Sequence, residues 1–260
     1  MFDEMEKSID VVAVSTPDHT HAVAAMAAIQ RKKHVYCEKP LAHSIGEVRA
    51  LMKAARENNV VTQLGNQGHS SGDIRKLVEW VRDGAIGKVH TIHAACNAVH
   101  CKSGELARRS EKHEVPRELD WDLWLGPAAR RDYHPMYLPG NWRGWKPFGD
   151  GTIGDWVCHV VDPSFWALDL GAPASVEAVK LLEYDPVQHA DTFPKGAAIK
   201  FDFPSKGDRG PVTLLWYSGV ERIPRPAELE AGRNPPDTGA VLLGDKGAMM
   251  HGSHGAGGVG

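Results

Sequence analysis

The sequence predicts an α/β protein: part of a doubly wound parallel sheet, followed by an α+β domain with a large, mostly antiparallel sheet. Two observations predict this order. Up to about residue 65, strand-like and helix-like segments alternate, as they do in βαβ units. From Lys88 onwards, long β-like runs are instead separated by Gly/Pro turns, which is typical of antiparallel strands. We therefore expect residues 1–68 to form the first domain and residues 69–260 the second.

The first domain is predicted to contain three strands joined by two helices. Its strands are short apolar runs, and turns or polar residues follow each of them. The second helix opens with a capping box, in which Ser44 and Glu47 satisfy each other's backbone N–H groups. In chain order we expect a strand at 9–15, a helix at about 19–31, a strand at 34–37, a helix from Ser44 to Asn58, and a strand at 60–64. Three strands spaced in this way indicate a parallel sheet.

The second domain is predicted to open with a helix over about residues 70–82, whose apolar residues share one face. Five β-like runs follow, at 88–99, 174–184, 197–203, 212–218 and 240–250. Between the first two runs lies a long segment, 100–170, that holds six of the eight tryptophans. Aromatic residues concentrated in one segment indicate either a binding surface or a densely packed junction.

The composition of the chain excludes several classes of function. The chain has 260 residues, 42% of them hydrophobic and 24% charged, which is ordinary for a globular protein. A net charge of −3 without any basic block argues against a nucleic-acid partner. No apolar run is long enough for a membrane span, and the first residues do not resemble a signal peptide. Four cysteines suit a reducing interior, so we expect a cytoplasmic protein unless an export signal precedes the chain.

A group of possible metal ligands lies in the first β-like run and just after it. The group consists of His90, His93, Cys96, His100 and Cys101. Their spacing matches no closed zinc pattern, and His90 and His93 would project from opposite faces of a strand. We therefore predict no metal site.

The tripeptide Glu38-Lys39-Pro40 is the first candidate for a functional site. It ends a buried strand, and the ligands of an open α/β sheet bind beyond the carboxyl ends of its strands. A lysine held in such a crevice is suited to moving protons or to polarising a carbonyl group. An isolated tripeptide of this kind is more often an ordinary strand end, so the interpretation depends on the rest of the chain.

A second candidate site lies in the segment Gly151–Pro163. On a helix, Asp155 and His159 are four residues apart and share one face. We expect Asp155 to occupy the first helical turn, where the dipole favours a carboxylate, and to orient His159 as an acid/base. A capping aspartate beside a partly buried histidine would explain the same residues equally well. Asp162 is predicted to cap a new helix that starts at Pro163.

Aromatic and polar residues near this segment are candidates for sugar binding. Aromatic rings pack against the apolar faces of sugars, while indole N–H groups bind hydroxyls. Trp142 and Trp145 alternate with Arg143 and Lys146, which would add polar contacts. Packing at the domain junction explains each tryptophan as well. The segment Asn66–His69 follows the third strand, where either a crevice loop or a simple turn would lie.

Three motifs in this order resemble the Gfo/Idh/MocA family of nicotinamide-dependent oxidoreductases, which includes glucose–fructose oxidoreductase and inositol 2-dehydrogenase. The motifs are Ser15-Thr16-Pro17 with His21, the segment His34–Ala42 around Glu38-Lys39-Pro40, and Gly154-Asp155 with His159 and Asp162. The resemblance covers essentially the whole chain. It implies a Rossmann-type domain that binds NAD or NADP, followed by an α/β domain whose open sheet forms homodimer or homotetramer contacts.

The resemblance also implies a reaction and the residues that perform it. The reaction is hydride transfer between nicotinamide and a carbon atom of a sugar, cyclitol or related polyol. Lys39 would bind the reacting oxygen, His159 would be the acid/base, and Asp155 would orient the histidine and the substrate. The residues implied for the cofactor are Ser15, Thr16, Pro17, His21, Glu38, Lys39 and Asn66. Those implied for the substrate are Lys39, Trp142, Arg143, Trp145, Asp155 and His159.

The chain departs from the family pattern at its start. Members of the family open with a strand and a glycine-rich turn, whereas this chain begins at what resembles the fourth strand. The resemblance therefore implies that two βαβ units, on the order of 60 residues, are missing. Gly255–Gly260 does read Gly-x-Gly-x-x-Gly, but no helix follows it, so we interpret it as a chance match. We expect the chain by itself to bind little or no cofactor.

Two other functions stay open at this point. An NAD-dependent glycosidase of the same family would use the same lysine, aspartate and histidine for a transient oxidation. A sugar-responsive binding protein, or an inactive fragment, would need no proton relay. The presence of Lys39, Asp155 and His159 together therefore favours an enzyme.

Overall fold

The computed structural model of the chain describes residues 1–227 and 229–255, which form two compact units. Unit 1 comprises Met1–Asn66, Lys102–Asp155 and His189–Phe193. Unit 2 comprises Gln67–Cys101, Trp156–Gln188 and the chain from Pro194 onwards. The Gly-x-Gly-x-x-Gly string extends beyond the described residues. Within those residues, no helix has the length and apolar character needed to cross a membrane.

Helices and strands follow the predicted order over most of the chain. The helices of the described residues are α1 (Phe2–Met5), α2 (Asp18–Gln30), α3 (Ile45–Asn58), α4 (Gly72–Arg82), α5 (Trp121–Leu125) and α6 (Gly151–Leu168). The strands are β1 (Val11–Val14), β2 (His34–Glu38), β3 (Thr62–Gly65), β4 (Val89–Cys96), β5 (Ser175–Leu182), β6 (Gly196–Phe203), β7 (Val212–Gly219), β8 (Gly239–Gly244) and β9 (Ala248–Gly252).

The sheet of unit 1 has three parallel strands in the order β1-β2-β3, as the sequence predicts. Val14 pairs with Cys37, and Cys37 pairs with Leu64, so the three strands end together. Helices α2 and α3 bury an apolar core with the strands, formed by residues such as Ala25, Ile29, Val35 and Leu51. The carboxyl ends of all three strands therefore lie along one edge of the sheet.

The predicted capping of α3 by Ser44 is present, with the Glu47 carboxylate bound to the Ser44 hydroxyl group rather than to its backbone N–H. The Ser44 hydroxyl oxygen accepts a hydrogen bond from the Glu47 backbone N–H at 3.2 Å and lies 3.0 Å from the Glu47 carboxylate. The helix ends at Asn59, which adopts the left-handed conformation with φ +52°. Asparagine tolerates this conformation well, so the sequence marks both ends of the helix.

The sheet of unit 2 has six strands in the order β5-β6-β7-β4-β8-β9. Strands β4 and β7 are parallel, and all other neighbours in the sheet are antiparallel, so the predicted mostly antiparallel sheet is confirmed. The prediction of one strand at 240–250 is wrong, because this segment forms two strands, β8 and β9, joined by a turn. The turn is anchored by hydrogen bonds from the Asp245 N–H to the Lys88 carbonyl and from the Lys246 N–H to the Ile86 carbonyl.

Helix α6 differs from the prediction in two ways. It starts at Gly151, so Asp155 lies in its second turn rather than in its first. It also continues through Pro163, so Asp162 does not cap a new helix. Proline removes one intrahelical hydrogen bond, but burial of residues such as Val160, which is 0% exposed, stabilises the continuous helix.

Candidate active site

Lys39 and Asp155 form a close ion pair in unit 1, although they are 116 residues apart in the sequence. The Lys39 ammonium Nζ donates to the Asp155 carboxylate Oδ1 at 2.5 Å and to the Asp155 backbone carbonyl at 2.6 Å. Both side chains are largely buried, with 14% and 13% of their surface exposed. Lys39 directly follows β2, and its peptide bond with Pro40 is cis. The first two predicted catalytic residues are thus in direct contact.

The start of α6 brings Asp155 to this position. A Cβ atom on Gly154 would lie 2.2 Å from the Cβ of Asp150, which is closer than real side chains pack. Glycine at this place therefore allows the first turn of the helix to close over Asp150. The following residue is Asp155, whose carboxylate then reaches Lys39.

Arg143 is a second cation beside Asp155. Its Nε lies 3.5 Å from Asp155 Oδ1, and its guanidinium carbon lies 4.3 Å from the centroid of the Trp142 ring. Arg143 keeps 37% of its side-chain surface exposed, while Trp142 is buried. Two cations beside one carboxylate make this a place where negative charge on a bound oxygen atom would be stabilised.

Most residues implied for the cofactor lie at the carboxyl edge of the three-stranded sheet. Ser15 and Thr16 follow β1 and are exposed, Glu38 ends β2, and Asn66 follows β3. Hydroxyl, carboxylate and amide groups can bind ribose hydroxyls and a carboxamide. This set of groups fits the nicotinamide nucleoside half of NAD or NADP. In the described parts of the chain, no glycine-rich turn joins a strand of this sheet to a helix and so could hold a pyrophosphate.

His21 is placed differently from the other residues implied for the cofactor. It is 1% exposed. Its Nδ1 lies 2.6 Å from the Pro40 carbonyl oxygen, and its Nε2 lies 2.7 Å from the Thr16 carbonyl oxygen. The ring therefore links the turn after β1 to the turn after β2, and it holds the backbone that carries Lys39.

Trp145 is fully buried, in contrast to what a sugar-binding platform requires. It belongs to a hydrophobic cluster of unit 1 and packs edge-on against Tyr137, with ring centroids 5.2 Å apart. The buried members of the cluster are Leu125, Met136, Tyr137, Trp142, Trp145 and Phe148. Core packing accounts for Trp145, and we do not include it in the proposed site.

Two aspartates of unit 1, the buried Asp18 and the half-buried Asp150, are absent from the sequence predictions. The Asp18 carboxylate accepts a hydrogen bond from the Asp150 backbone N–H at 3.3 Å, and His43 Nε2 lies 3.8 Å from Asp150 Oδ1. Burial raises the pKa of both aspartates to about 6, and the nearby Asp150 contributes to the shift at Asp18. Both residues border turns, but no local pattern pairs two positions 132 residues apart.

His159 lies in unit 2, one helical turn after Asp155 on α6. It is 5% exposed. Its ring stacks on His254, with centroids 3.9 Å apart, and meets the edge of Trp156 at 5.8 Å. Residues four apart on a helix share one face, so α6 carries the partner of Lys39 and the predicted acid/base on consecutive turns.

Three possible metal ligands, Glu111, His113 and His134, also gather in unit 1. Arg108 donates to Glu111 Oε1 at 3.1 Å, and this contact lowers the pKa of Glu111 to about 2. His134 Nδ1 accepts the Met136 N–H at 3.0 Å, so the proton of the neutral ring sits on Nε2, which faces Glu111 Oε2 at 3.3 Å. A protonated Nε2 and an adjacent guanidinium disfavour a cation. We interpret the group as a hydrogen-bond network.

Comparison with known proteins gives matches along most of the chain. The 1,5-anhydro-D-fructose reductase of Ensifer adhaerens is 27% identical over 178 residues, which are 67% of this chain and 42% of the reductase. The levoglucosan dehydrogenase of Pseudarthrobacter phenanthrenivorans is 33% identical over 158 residues, which are 60% of this chain and 32% of the dehydrogenase. The chain thus spans less than half the length of these two curated relatives.

A solved structure shows the same fold. The inositol dehydrogenase homologue of Azotobacter vinelandii, complexed with NADH and myo-inositol, has a TM-score of 0.58 at 19% identity. The match covers 93% of this chain and 50% of that protein.

Family models match both parts of the chain. Residues 1–66 match the NAD-binding Rossmann fold of an oxidoreductase family, and residues 71–206 match the C-terminal α/β domain of the same family. The second match alone covers more than half of the chain. The chain therefore belongs to the Gfo/Idh/MocA oxidoreductase family.

Proposed function

We propose that the intact protein is an NAD(P)-dependent oxidoreductase that transfers hydride to or from a sugar, cyclitol or related polyol. The observation that carries this proposal is the largely buried Lys39–Asp155 pair directly after β2. Membership of the family and the reductase and dehydrogenases among the relatives support it. A reducing compartment such as the cytoplasm suits the four cysteines, which form no disulfide bond among the described residues.

The cofactor would be held at the carboxyl edge of the three-stranded sheet. Ser15, Thr16 and Pro17 would contact it from the turn after β1, and Glu38 and Asn66 from the ends of β2 and β3. Bound NAD or NADP supplies the hydride acceptor or donor. In our proposal His21 acts one step away from the cofactor, through the backbone of the two turns that it joins.

The polyol would place its reacting oxygen at Lys39. The ammonium group would donate a hydrogen bond to this oxygen, and Arg143 would stabilise negative charge that develops on it. Asp155 holds Lys39 through the 2.5 Å contact and thereby fixes the direction of that bond. His159 would accept the hydroxyl proton during oxidation and return it during reduction. The exposed part of Arg143 would contact the rest of the substrate, while the buried ring of Trp142 packs against the Arg143 guanidinium group.

Replacing Lys39 tests the proposal. In the intact protein, Lys39→Ala should lower kcat by roughly 100-fold or more, because the reacting oxygen loses the ammonium group that binds and polarises it. The measurement is the rate of NADH or NADPH formation with levoglucosan and with myo-inositol. His159→Ala should act in the same direction and by a similar factor.

Lys53→Ala is the matched control, because the Lys53 side chain is 71% exposed and pairs with Glu57 on the surface of α3. It should leave the rate unchanged. Near-native turnover in Lys39→Ala would contradict the proposed role of the lysine. Sugar cleavage without net formation of reduced cofactor would favour the alternative, a glycosidase that oxidises its substrate transiently.

A homodimer or homotetramer formed through the sheet of unit 2 is part of the proposal. Strand β5 is an edge strand and leaves apolar side chains in solvent, among them Val176, Val179 and Leu181. Exposed apolar edge strands are suited to pairing with another chain.

A further inference from the structure

Three aromatic rings of unit 2 form a cluster around the proposed acid/base, His159. The His159 ring stacks on the ring of His254, with centroids 3.9 Å apart and an angle of 25° between the rings. The Trp156 ring stands nearly perpendicular to both, with its centroid 5.8 Å from that of His159 and 5.7 Å from that of His254. All three residues belong to unit 2, so the cluster is formed within one compact unit.

The two histidines come from different elements. His159 lies on α6, whereas His254 lies in the short 3-10 segment Ser253–Gly255 directly after β9. Positions so far apart in the chain share no sequence motif, and for this reason the sequence prediction of the site contains His159 but not His254. The fold of unit 2 brings the second ring against the first.

Contacts other than the stack hold His254 in place. Its backbone has φ +57°, in the left-handed region that histidine adopts more readily than most residues. A Cβ atom on Gly68 would lie 2.9 Å from the Cα atom of His254, so the two backbones are in close contact. The Nδ1 atom of His254 lies 3.1 Å from the hydroxyl oxygen of Ser253. The His254 ring is therefore presented to His159 from an anchored position.

Stacking gives His159 an orientation that the helix alone does not provide. A helix backbone fixes the place of the Cβ atom, but the torsion that turns an imidazole ring about its Cβ–Cγ bond is broad. The face of His254 and the perpendicular ring of Trp156 limit this rotation. An acid/base needs a ring nitrogen within hydrogen-bond reach of the proton that it transfers, so a fixed ring plane favours the reaction.

We propose that His254 is a positioning residue for His159, whose imidazole plane it fixes so that one ring nitrogen stays aligned for proton transfer. His254 needs no contact with the substrate or the cofactor for this role. The role requires an aromatic face at position 254 and no ionisable group there. The inference rests on the proposed function, in which His159 is the acid/base.

Kinetics of the intact protein test the role of the ring. The probe is whichever of myo-inositol and levoglucosan the protein oxidises. In His254→Asn, which tolerates the left-handed backbone but lacks the ring, kcat should fall about tenfold while KM changes little, because ring alignment matters for proton transfer and not for binding. His254→Phe restores an aromatic face without a proton-binding group, and it should recover most of the lost kcat.

The stack is also tested without activity, by proton NMR of the chain. The carbon-bound ring protons of His159 lie against the face of His254, where the ring current shields them. In His254→Asn these resonances should move downfield, and in His254→Phe they should stay shielded. Unchanged His159 resonances in His254→Asn would show that the two rings do not stack, which would overturn the proposal.

His90→Asn is the matched control, because His90 is an exposed histidine of β4 in the same unit, with its Nδ1 atom 2.9 Å from the neighbouring Thr91 hydroxyl. It should change neither kcat nor the His159 resonances. Phenylalanine tolerates a left-handed backbone less well than asparagine, so urea unfolding of every variant accompanies the kinetics.

Three outcomes would contradict the role of His254 while the proposed function stands. A native kcat in His254→Asn would show that the ring is not needed. Equal losses of kcat in folded His254→Asn and His254→Phe would assign the effect to the polar atoms of the imidazole. A loss of kcat that follows the loss of unfolding free energy across the variants would make the contact purely structural. If the unaltered protein oxidises neither compound, or if His159→Ala keeps near-native turnover, the proposed function fails, and this inference fails with it.

Discussion

At the scale of single residues, the carboxyl groups of the buried Asp18 and the half-buried Asp150 couple stability to pH. Burial raises the pKa of Asp18 from its ordinary value of 3.8 to about 6. Between these two values, the folded chain keeps a proton that the unfolded chain has lost. The free energy of unfolding therefore falls as the pH rises through this window, and it stays lower above pH 6.

We expect Asp18→Asn to stabilise the protein at neutral pH. The amide keeps an oxygen that accepts the Asp150 N–H, but it carries no charge that burial would penalise. The gain should be on the order of 2 kcal/mol at about pH 7.5 and should vanish near pH 4. Urea unfolding at both pH values measures it. The control is Asp208→Asn, at an exposed turn position, which should have little effect at either pH. If Asp18→Asn stabilised the protein equally at about pH 7.5 and at about pH 4, the titration of Asp18 would not be the cause.

The sequence predicts the positions of some residues of the proposed site better than those of others. Lys39 and Asp155 stand in short motifs with fixed spacing, and the structure places them in contact. His21 belongs to such a motif as well, but only the fold reveals that its two nitrogens face backbone carbonyls. The raised pKa values of Asp18 and Asp150 depend on burial by distant parts of unit 1, which no local pattern encodes.

At the scale of elements, α6 depends on close packing at its first turn. We expect Gly154→Ala to destabilise the protein by about 1–3 kcal/mol, because the new methyl group would collide with the side chain of Asp150. In urea unfolding, Gly72→Ala is the control. Gly72 also lies in a helix, where a Cβ atom would meet nothing within 4 Å, so alanine should stabilise by about 0.5–1 kcal/mol. If Gly154→Ala were as stable as the unaltered protein, the first turn of α6 could accommodate a methyl group, and close packing there would not be required.

The sequence predicts helices and strands correctly where local signals mark both ends of the element. It predicts them wrongly where tertiary packing determines whether an element continues. Helix α3 has a capping serine at its start and an asparagine at its end, and both ends were predictable. Helix α6 contains Pro163, which locally favours a break, yet burial keeps the helix continuous. The hairpin of β8 and β9 resembles a single strand in the sequence, because its turn is short and apolar residues flank it.

At the scale of the whole molecule, the order of strands in the sheet of unit 2 could not be predicted. The sequence indicates that most strands are antiparallel, but β4 lies beside β7, more than a hundred residues away, and runs parallel to it. Long-range pairing of this kind follows from tertiary packing and leaves no local signature. The change from a parallel to a mixed sheet along the chain was predictable, because the connections themselves change from helices to turns.

We expect the exposed edge strand β5 to hold two copies of the protein together. Val179→Lys should shift the protein towards the monomer, because a lysine at an edge strand opposes pairing. Sedimentation velocity over a range of concentrations measures the shift. Val187→Lys is the control, since Val187 is 83% exposed and lies outside the strands. An unchanged distribution of species for Val179→Lys would exclude β5 from the contact.

The contact between Lys39 and Asp155 has a stereochemical consequence. An ammonium group has three N–H bonds in tetrahedral directions, and Asp155 takes two of them with its carboxylate and its carbonyl oxygen. In the proposed reaction, a single direction then remains for the oxygen of the polyol. An epimer whose hydroxyl points away from that direction cannot be aligned without breaking the pair, so the lysine would select the configuration of the carbon that reacts.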